Sequence, residues 1–183
     1  MATRLYSYRA CLGHDTGFGH PEMPGRLRAI FDELAREEFD TLERCEAPEA
    51  KPAQLARAHD ERYVQSVLDA AAASRRIEFA PGVMISNGTG AALLRAAGAV
   101  CAAVDAVVAC EATNAFCAVR PPGHHAGPRS AMGFCLFNNV AIGAAHARAV
   151  HGLERIAIVD FDVHHGNGTE AIFRGVEDVL FAS

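Results

Sequence analysis

The stretch IAIVDFDVHHGNGTE, residues 156–170, begins as an apolar strand and ends in ionisable side chains. Its first residues are aliphatic and mostly β-branched, a pattern typical of a strand buried on both faces. Two aspartates and two histidines follow within residues 160–165. Ionised carboxylates and imidazoles are costly to remove from water, so at the end of a buried run they are usually paired, hydrogen-bonded or bound to a metal. We therefore expect a functional site at the end of this strand.

The spacing of the polar residues favours a metal site. Asp160, Asp162 and His164 are two residues apart, so in an extended chain their side chains point to the same side. Carboxylate and imidazole together suit zinc or another first-row divalent ion better than magnesium or calcium, which prefer oxygen ligands. The alternative is a strand end whose carboxylates cap the next helix and bind loop amides.

The surrounding sequence predicts an α/β fold. Apolar runs at residues 115–119, 155–161 and 178–183 are predicted as strands. Helical patterns at residues 138–152 and 169–173 separate them. Alternating strands and helices indicate a parallel sheet with flanking crossover helices.

Three further helices are predicted upstream, over residues 25–38, 60–73 and 89–110. The third is Ala-rich and approaches the length and apolarity of a membrane span, but Arg95 and Asp105 interrupt it. We predict a buried helix and no membrane span.

Composition narrows the class of protein. A chain of 183 residues with 50% hydrophobic and 21% charged residues is typical of a globular domain with a core. Its net charge of -5 gives no reason to expect nucleic acid as a direct ligand. The 6 cysteines form no Cys-x-x-Cys pair, and the N-terminus lacks an apolar signal region. We expect reduced thiols and a cytoplasmic location.

A second histidine pair follows the first predicted strand. His124 and His125 lie in RPPGHHAG, behind two prolines and beside Gly123, which permits close backbone packing. Ligands of open α/β sheets bind beyond the carboxyl ends of strands, where both polar clusters are expected. One pair could move protons while the other helps to hold a metal. The alternative is an exposed pair without a role.

The remaining histidines carry weaker signals. His14 and His20 lie in a loop rich in Gly and Pro that either reaches the mouth of the site or is solvated. His59, His146 and His151 lie in or beside predicted helices, and we interpret them as surface or packing residues.

Three motifs resemble a known family when taken in order and at this spacing. RPPGHHA, GFCLFNNVAIGAAHA and VDFDVHHGNGT closely resemble the zinc-dependent histone deacetylase superfamily, which includes bacterial acetylpolyamine amidohydrolases and histone-deacetylase-like amidohydrolases. GHPEMPGRL resembles the family's first active-site loop, and Asn167 with the Arg-Pro-Pro run favours the class II branch. The resemblance implies an arginase/deacetylase fold in which residues 1–183 are the N-terminal portion of one deacetylase domain, truncated at its C-terminal side.

The resemblance also implies catalytic roles. His125 matches the general base and acid, and His124 matches an electrostatic partner oriented by Asp160. Asn167 would orient His125.

Metal and substrate positions are implied in the same way. Asp162 and His164 match two of three zinc ligands, while Gly133 and Phe134 match residues that line the acyl-lysine channel. A structural potassium site is implied at the backbone around Asp160, Asp162 and His164, with Ser183.

The implied activity is zinc-dependent hydrolysis of an N-acetyl or other acyl amide on a lysine-like or polyamine amine. In the family the third zinc ligand and the carbonyl-polarising residue lie downstream of these motifs, so we expect the 183-residue chain by itself to be inactive and to self-associate through a bare sheet edge. The alternatives are a catalytically inactive module that binds a metal or a partner, and a dimanganese ureohydrolase. Tandem histidines favour the deacetylase, because a two-metal site would need more carboxylates.

Overall fold

A computed structural model describes residues 2–73 and 75–183. The strands of the described chain are β1 (Thr3–Ser7), β2 (Glu43–Glu46), β3 (Ile77–Ala80), β4 (Val83–Ile85), β5 (Asn114–Ala118), β6 (Ile156–Val159) and β7 (Val179–Ala182). Its α-helices are α1 (Pro24–Leu34), α2 (Pro52–Leu55), α3 (Glu61–Ala72), α4 (Thr89–Val108), α5 (Asn139–His151) and α6 (Asn167–Phe173).

The sheet arrangement confirms the predicted α/β class with parallel strands. In one sheet β1 lies between β2 and β5, and all three strands are parallel. In a second sheet β6 pairs in parallel with β7, while β3 and β4 form an antiparallel hairpin. The class follows because α1 lies between the parallel strands β1 and β2, and α6 lies between the parallel strands β6 and β7, as crossover helices do.

One difference from the sequence prediction concerns the neighbours of β5. We expected β5 and β6 in one sheet, but in the described residues they belong to separate sheets. An apolar groove of about 530 Å³ is lined by β5 and β6 and by α4 and α5. Hydrogen-bonding strands lie about 4.8 Å apart, and the groove between β5 and β6 shows that these two edges are more widely separated.

The two long helices form much of the core. Asn138 caps the start of α5, because its side chain accepts a hydrogen bond from the backbone N–H of Ala141 at 3.1 Å, and Gly152 caps its end in the left-handed conformation. α4 packs on α5 at Gly143, where an added Cβ would lie 2.3 Å from Val100. By length and hydropathy α4 is the one helix of the described residues that could cross a membrane, and half of its most apolar 18-residue segment is buried. That burial matches the core helix expected from the sequence.

Other differences have local causes. α1 ends at Leu34 because a short 3-10 turn replaces its predicted last turn. β6 is buried on one face only: Ile158 lies in the core, whereas Ala157 and Val159 are exposed. The apolar pattern of β6 predicted cover on both faces, and within the described chain the helices cover one.

Candidate active site

The loops that follow β5 and β6 meet at one place, as their positions after strands predicted. The backbone N–H groups of Gly168 and Thr169, at the start of α6, donate to the carbonyl of His124 at 3.0 and 3.1 Å. At Gly168 an added Cβ would lie 2.4 Å from the carbonyl oxygen of Ala126. Glycine is therefore required where the second loop docks against the first.

The tandem histidines are each held by a different acceptor. Nδ1 of His124 lies 2.8 Å from Oδ2 of Asp160, and Nδ1 of His125 lies 2.6 Å from Oδ1 of Asn167. The two ring centroids are 4.0 Å apart. Acceptors at Nδ1 favour the tautomer with the proton there, so Nε2 of each ring is the atom available for proton transfer. The structure thus brings together the four residues that the resemblance assigns to catalysis.

The residues assigned to the substrate channel lie against His125. Gly133 has φ +54°, and an added Cβ would lie 2.2 Å from Cδ2 of His125. Phe134 also has a left-handed φ, of 70°, which is unfavourable for a bulky residue. Its ring meets that of His20 edge to face, with centroids 4.7 Å apart. We predicted that the loop of His20 either reaches the mouth of the site or is solvated, and the contact with Phe134 agrees with the first alternative.

A buried thiol closes the same turn. Sγ of Cys135 donates to the carbonyl of Gly133 at 3.3 Å. Burial raises the pKa of Cys135 to about 12, so the thiol stays protonated at neutral pH. This bond orients a carbonyl that the resemblance places in the channel.

The two proposed zinc ligands lie beside the histidine pair. Nδ1 of His164 is 3.1 Å from Oδ1 of Asp162, and the rings of His164 and His125 are 6.0 Å apart. The backbone N–H of His164 donates to the same oxygen at 2.8 Å, which lowers the pKa of Asp162. The Asp162 carboxylate is therefore ionised and directed at its partner.

The donor set fits zinc in chemistry and in spacing. Oxygen and nitrogen ligands bound to tetrahedral Zn²⁺ at about 2.0–2.2 Å lie about 3.3 Å apart, close to the observed separation of Asp162 and His164. Within residues 2–73 and 75–183 no third His, Cys, Asp or Glu joins this pair in a compact set. The described residues thus supply two of the three protein ligands expected of a catalytic zinc site.

Ser183 contacts the loop that follows β6. The backbone N–H of Gly166 donates to its Oγ at 3.0 Å, and the backbone N–H of Asp162 donates to Oδ1 of Asp160 at 3.2 Å. The loop and the strand end are therefore bonded together, and potassium binding at this place stays a prediction.

A buried ion pair behind the histidine loop was not predicted. Arg120 forms a two-pronged pair with Glu22, with Nε–Oε1 at 2.7 Å and Nη2–Oε2 at 2.6 Å. Its Nη1 also donates to the carbonyls of Cys11 and His14, at 2.8 and 2.9 Å. These contacts hold the loop that contains His14 and Glu22 against Arg120, four residues before His124. The sequence indicates this pair only indirectly, because Glu22 and Arg120 each lie in a Pro-rich loop.

Two buried histidines are packing residues of this region. Nδ1 of His14 contacts Oγ1 of Thr89 at 2.8 Å. Nδ1 of His59 donates to the carbonyl of Gly127 at 2.9 Å, and its Nε2 accepts from the backbone N–H of Asn138 at 2.9 Å. Burial lowers the pKa of each histidine to about 4, so both are neutral at pH 7.

Comparisons with known proteins agree with this geometry. A family model described as the histone deacetylase domain matches residues 20–183. Histone deacetylase 14, chloroplastic, of Arabidopsis thaliana is 40% identical over 199 residues, which cover 100% of this chain and 47% of that protein. The histone deacetylase-like amidohydrolase of Pseudomonas aeruginosa is 41% identical over 170 residues, covering 90% of this chain and 43% of that protein.

A solved structure gives the same result for the fold. The crystal structure of the HDA15 HD domain superposes with a TM-score of 0.92 at 34% identity, covering 98% of this chain and 52% of that chain. The chain spans about half the length of the relatives it matches.

Proposed function

The chain belongs to the histone deacetylase family, and we propose that it carries the proton-transfer residues and two zinc ligands for hydrolysis of an acyl amide on a lysine-like or polyamine amine. One observation carries the proposal. Two histidines with separate Nδ1 acceptors lie beside a carboxylate and an imidazole that are spaced to bind one ion. This arrangement suits hydrolysis of an unactivated amide, which requires both proton transfer and polarisation of the carbonyl.

The proposed roles follow from the hydrogen bonds. Nε2 of His125 would take a proton from the attacking water and return a proton to the leaving amine. Asn167 holds the ring of His125 in the required orientation through Nδ1. His124 would act as an electrostatic partner, and the Asp160 carboxylate would stabilise positive charge on the His124 ring.

Asp162 and His164 would hold Zn²⁺, because their donor atoms and their separation fit that ion. Zinc bound there would supply Lewis-acid activation of the amide carbonyl and of water. We also propose potassium at the strand end near Ser183, as the resemblance implies.

The proposed substrate is a slender acylated amine. The rings of Phe134 and His20, with Gly133 between Phe134 and His125, would form a narrow aromatic passage next to the proton-transfer residues. Such a passage suits the alkyl chain of an acetyl-lysine or an acetylpolyamine, which can enter end on.

The contacts of Asp160 weigh against a dimanganese ureohydrolase. One oxygen of its carboxylate accepts from His124 and the other accepts from the backbone N–H of Asp162. Because both oxygens already have partners, Asp160 is poorly placed to bridge a second metal ion.

The test uses the natural polypeptide that contains residues 1–183. After removal of metal with a chelator, we expect activity on an acetyl-lysine peptide or on N-acetylputrescine to return when one Zn²⁺ is bound at the candidate active site. Hydrolysis of a guanidino substrate with two Mn²⁺ would support the ureohydrolase instead. A well-folded protein that hydrolyses neither acyl amide in the presence of zinc would contradict the proposal.

A further inference from the structure

A second cluster of metal-ligating side chains lies between α4 and α5. Nε2 of His146 and Nε2 of His151 each lie 2.6 Å from Oδ1 of Asp105. The three donor atoms all lie within 4.8 Å of one another. Two imidazoles and one carboxylate therefore converge on one point from two different helices.

The cluster lies far from the candidate active site. α5 begins at Asn139, whose backbone nitrogen would lie 2.6 Å from a Cβ added at Gly123, directly before the tandem histidines. His146 and His151 lie further along this helix, so at 1.5 Å per residue the two cluster histidines are about 10 and 18 Å from its start. An ion at the cluster could not take part in chemistry at the histidine pair.

The ends of both helices favour a cation here. Gly143 packs on Val100, and further along the helices His146 and His151 reach Asp105, so α4 and α5 run in the same direction. α4 ends at Val108 and α5 ends at His151, which brings both C-termini to the cluster. Carbonyl groups at helix C-termini carry partial negative charge and attract positive ions.

We propose that Asp105, His146 and His151 bind one divalent first-row metal ion, with Zn²⁺ as the best fit, and so join the ends of α4 and α5. Two imidazoles and a carboxylate are a ligand set that zinc takes in proteins, with water completing the coordination. The burial pattern suits such a site, because the side chain of His146 is 5% exposed whereas those of His151 and Asp105 are 21% and 49% exposed. His146 would hold the ion from the buried side, and the exposed side next to Asp105 and His151 leaves room for water.

Arg57 competes with the ion for His146. Nη1 of Arg57 lies 2.5 Å from Nδ1 of His146, so Nδ1 accepts and Nε2 carries the proton toward Asp105. Metal bound at Nε2 would move that proton to Nδ1, where it would face the guanidinium. Arg57 would then turn into the adjoining surface cavity of about 470 Å³, which it lines together with Arg148 and Asp178. Removing the charge of Arg57 should therefore strengthen metal binding.

The experiment starts from the double variant Asp162→Ala/His164→Ala, which lacks the two candidate ligands at the active site. We expect it to bind one equivalent of Zn²⁺ in calorimetry, and one of Co²⁺ by visible absorption. Adding His151→Ala or Asp105→Asn should weaken binding by at least about tenfold, since each removes or neutralises one of three ligands. Arg57→Gln should tighten it about tenfold, because a glutamine oxygen can accept the Nδ1 proton.

The matched control is His165→Ala in the same background. His165 is an exposed histidine whose Nε2 contacts Glu170 at 3.0 Å, so its loss should leave the single equivalent bound in that background unchanged. Circular dichroism of each variant separates loss of metal from loss of fold, and Asp105→Asn keeps the shape of the side chain. Absence of bound metal in the double variant, or unchanged affinity after His151→Ala, would overturn the proposal. Neither readout depends on turnover, so the result is separate from that for the deacetylase site.

Discussion

The two halves of the candidate active site are held in opposite ways. In the histidine half, His124 and His125 are bonded at Nδ1 to Asp160 and Asn167, and Gly133 packs directly on a ring. In the ligand half, the side chains of Asp162 and His164 are 48% and 72% exposed, and they form an ion pair with each other. Contacts within the described residues fix the two histidines, whereas they leave the proposed ligand pair largely exposed.

The apolar residues around each half show the same contrast. Phe161 and Val163, which alternate with the ligands, are 98% and 91% exposed. By comparison Ala126 and Phe137, which flank the histidine loop, are fully buried. The histidine half is therefore part of the core, and the ligand half extends from it.

The largest effect should follow removal of a ligand. Asp162→Ala or His164→Ala in the natural polypeptide should lower the zinc content by about one equivalent and abolish detectable deacetylation, because loss of one of three ligands at the active site leaves a poor site. Elemental analysis and a peptide assay measure the two properties. Full zinc occupancy at the active site in either variant would show that the ligands are assigned wrongly.

Acidification from pH 7 to pH 4 should lower the free energy of unfolding by about 3 kcal/mol through His59, which packs behind the histidine half. Its pKa is about 4 in the folded chain, whereas an unfolded histidine titrates near 6.5, so between these values the unfolded state binds more protons. The corresponding stability is present above pH 6.5 and is lost as the pH falls toward 4. The measurement is the free energy of unfolding at pH 7 and pH 4 for the parent and for His59→Gln, which can keep both hydrogen bonds. An equal pH dependence in the two proteins would contradict this explanation.

Loss of the proposed general base should lower turnover without releasing zinc, so the contributions of the two halves can be distinguished. We expect His125→Ala to lower turnover by at least about 10²-fold, equivalent to about 2.7 kcal/mol, while zinc stays bound. His165→Ala is the matched control, because this exposed neighbour contacts Glu170 and should leave the rate unchanged. Near-parental turnover in His125→Ala would mean that another group moves the proton.

A smaller effect should come from crowding His125. Gly133→Ala should lower turnover by about tenfold, or about 1.4 kcal/mol, because the new methyl group displaces a ring that must be placed closely. Gly175→Ala is the control: Gly175 also has a positive φ, of +80°, but an added Cβ there meets nothing within 4 Å. If both variants lose the same activity, backbone strain rather than the contact with His125 is the cause.

The smallest effect should come from the apolar residues of the ligand half. Phe161→Ser should change the unfolding free energy of the 183-residue chain by less than about 0.5 kcal/mol, as is usual for exposed positions. Phe137→Ala, at a fully buried phenylalanine, should cost about 3–5 kcal/mol. Chemical denaturation measures both, and a cost above 2 kcal/mol for Phe161→Ser would show that this half is packed more tightly than its exposure indicates.

Local signals predicted much of the fold and of the site. The end of α5 at Gly152 was predictable from the sequence, because a glycine can take the left-handed conformation that terminates a helix. The common direction of Asp162 and His164 was readable because side chains of an extended chain alternate. The roles of His124 and His125 came from the resemblance, and their Nδ1 partners are the ones that it implied.

Contacts between distant residues were not predictable in the same way. The partnership of Glu22 and Arg120 joins two loops on either side of α4, and neither residue carries a local sign of the other. The same holds for His146 and His151, which we interpreted as surface or packing residues and which converge on Asp105 from another helix.

The sequence by itself determined the α/β class, the order of the strands and helices from α4 onward, and the residue types at the candidate site, because these depend on patterns within a few residues. Only the tertiary structure decided which strands pair, which face of β6 is covered and which ionisable groups become partners. These depend on which surfaces come together, and that is a property of the whole chain. A buried charge is costly without a partner, and tertiary packing places Glu22 next to Arg120.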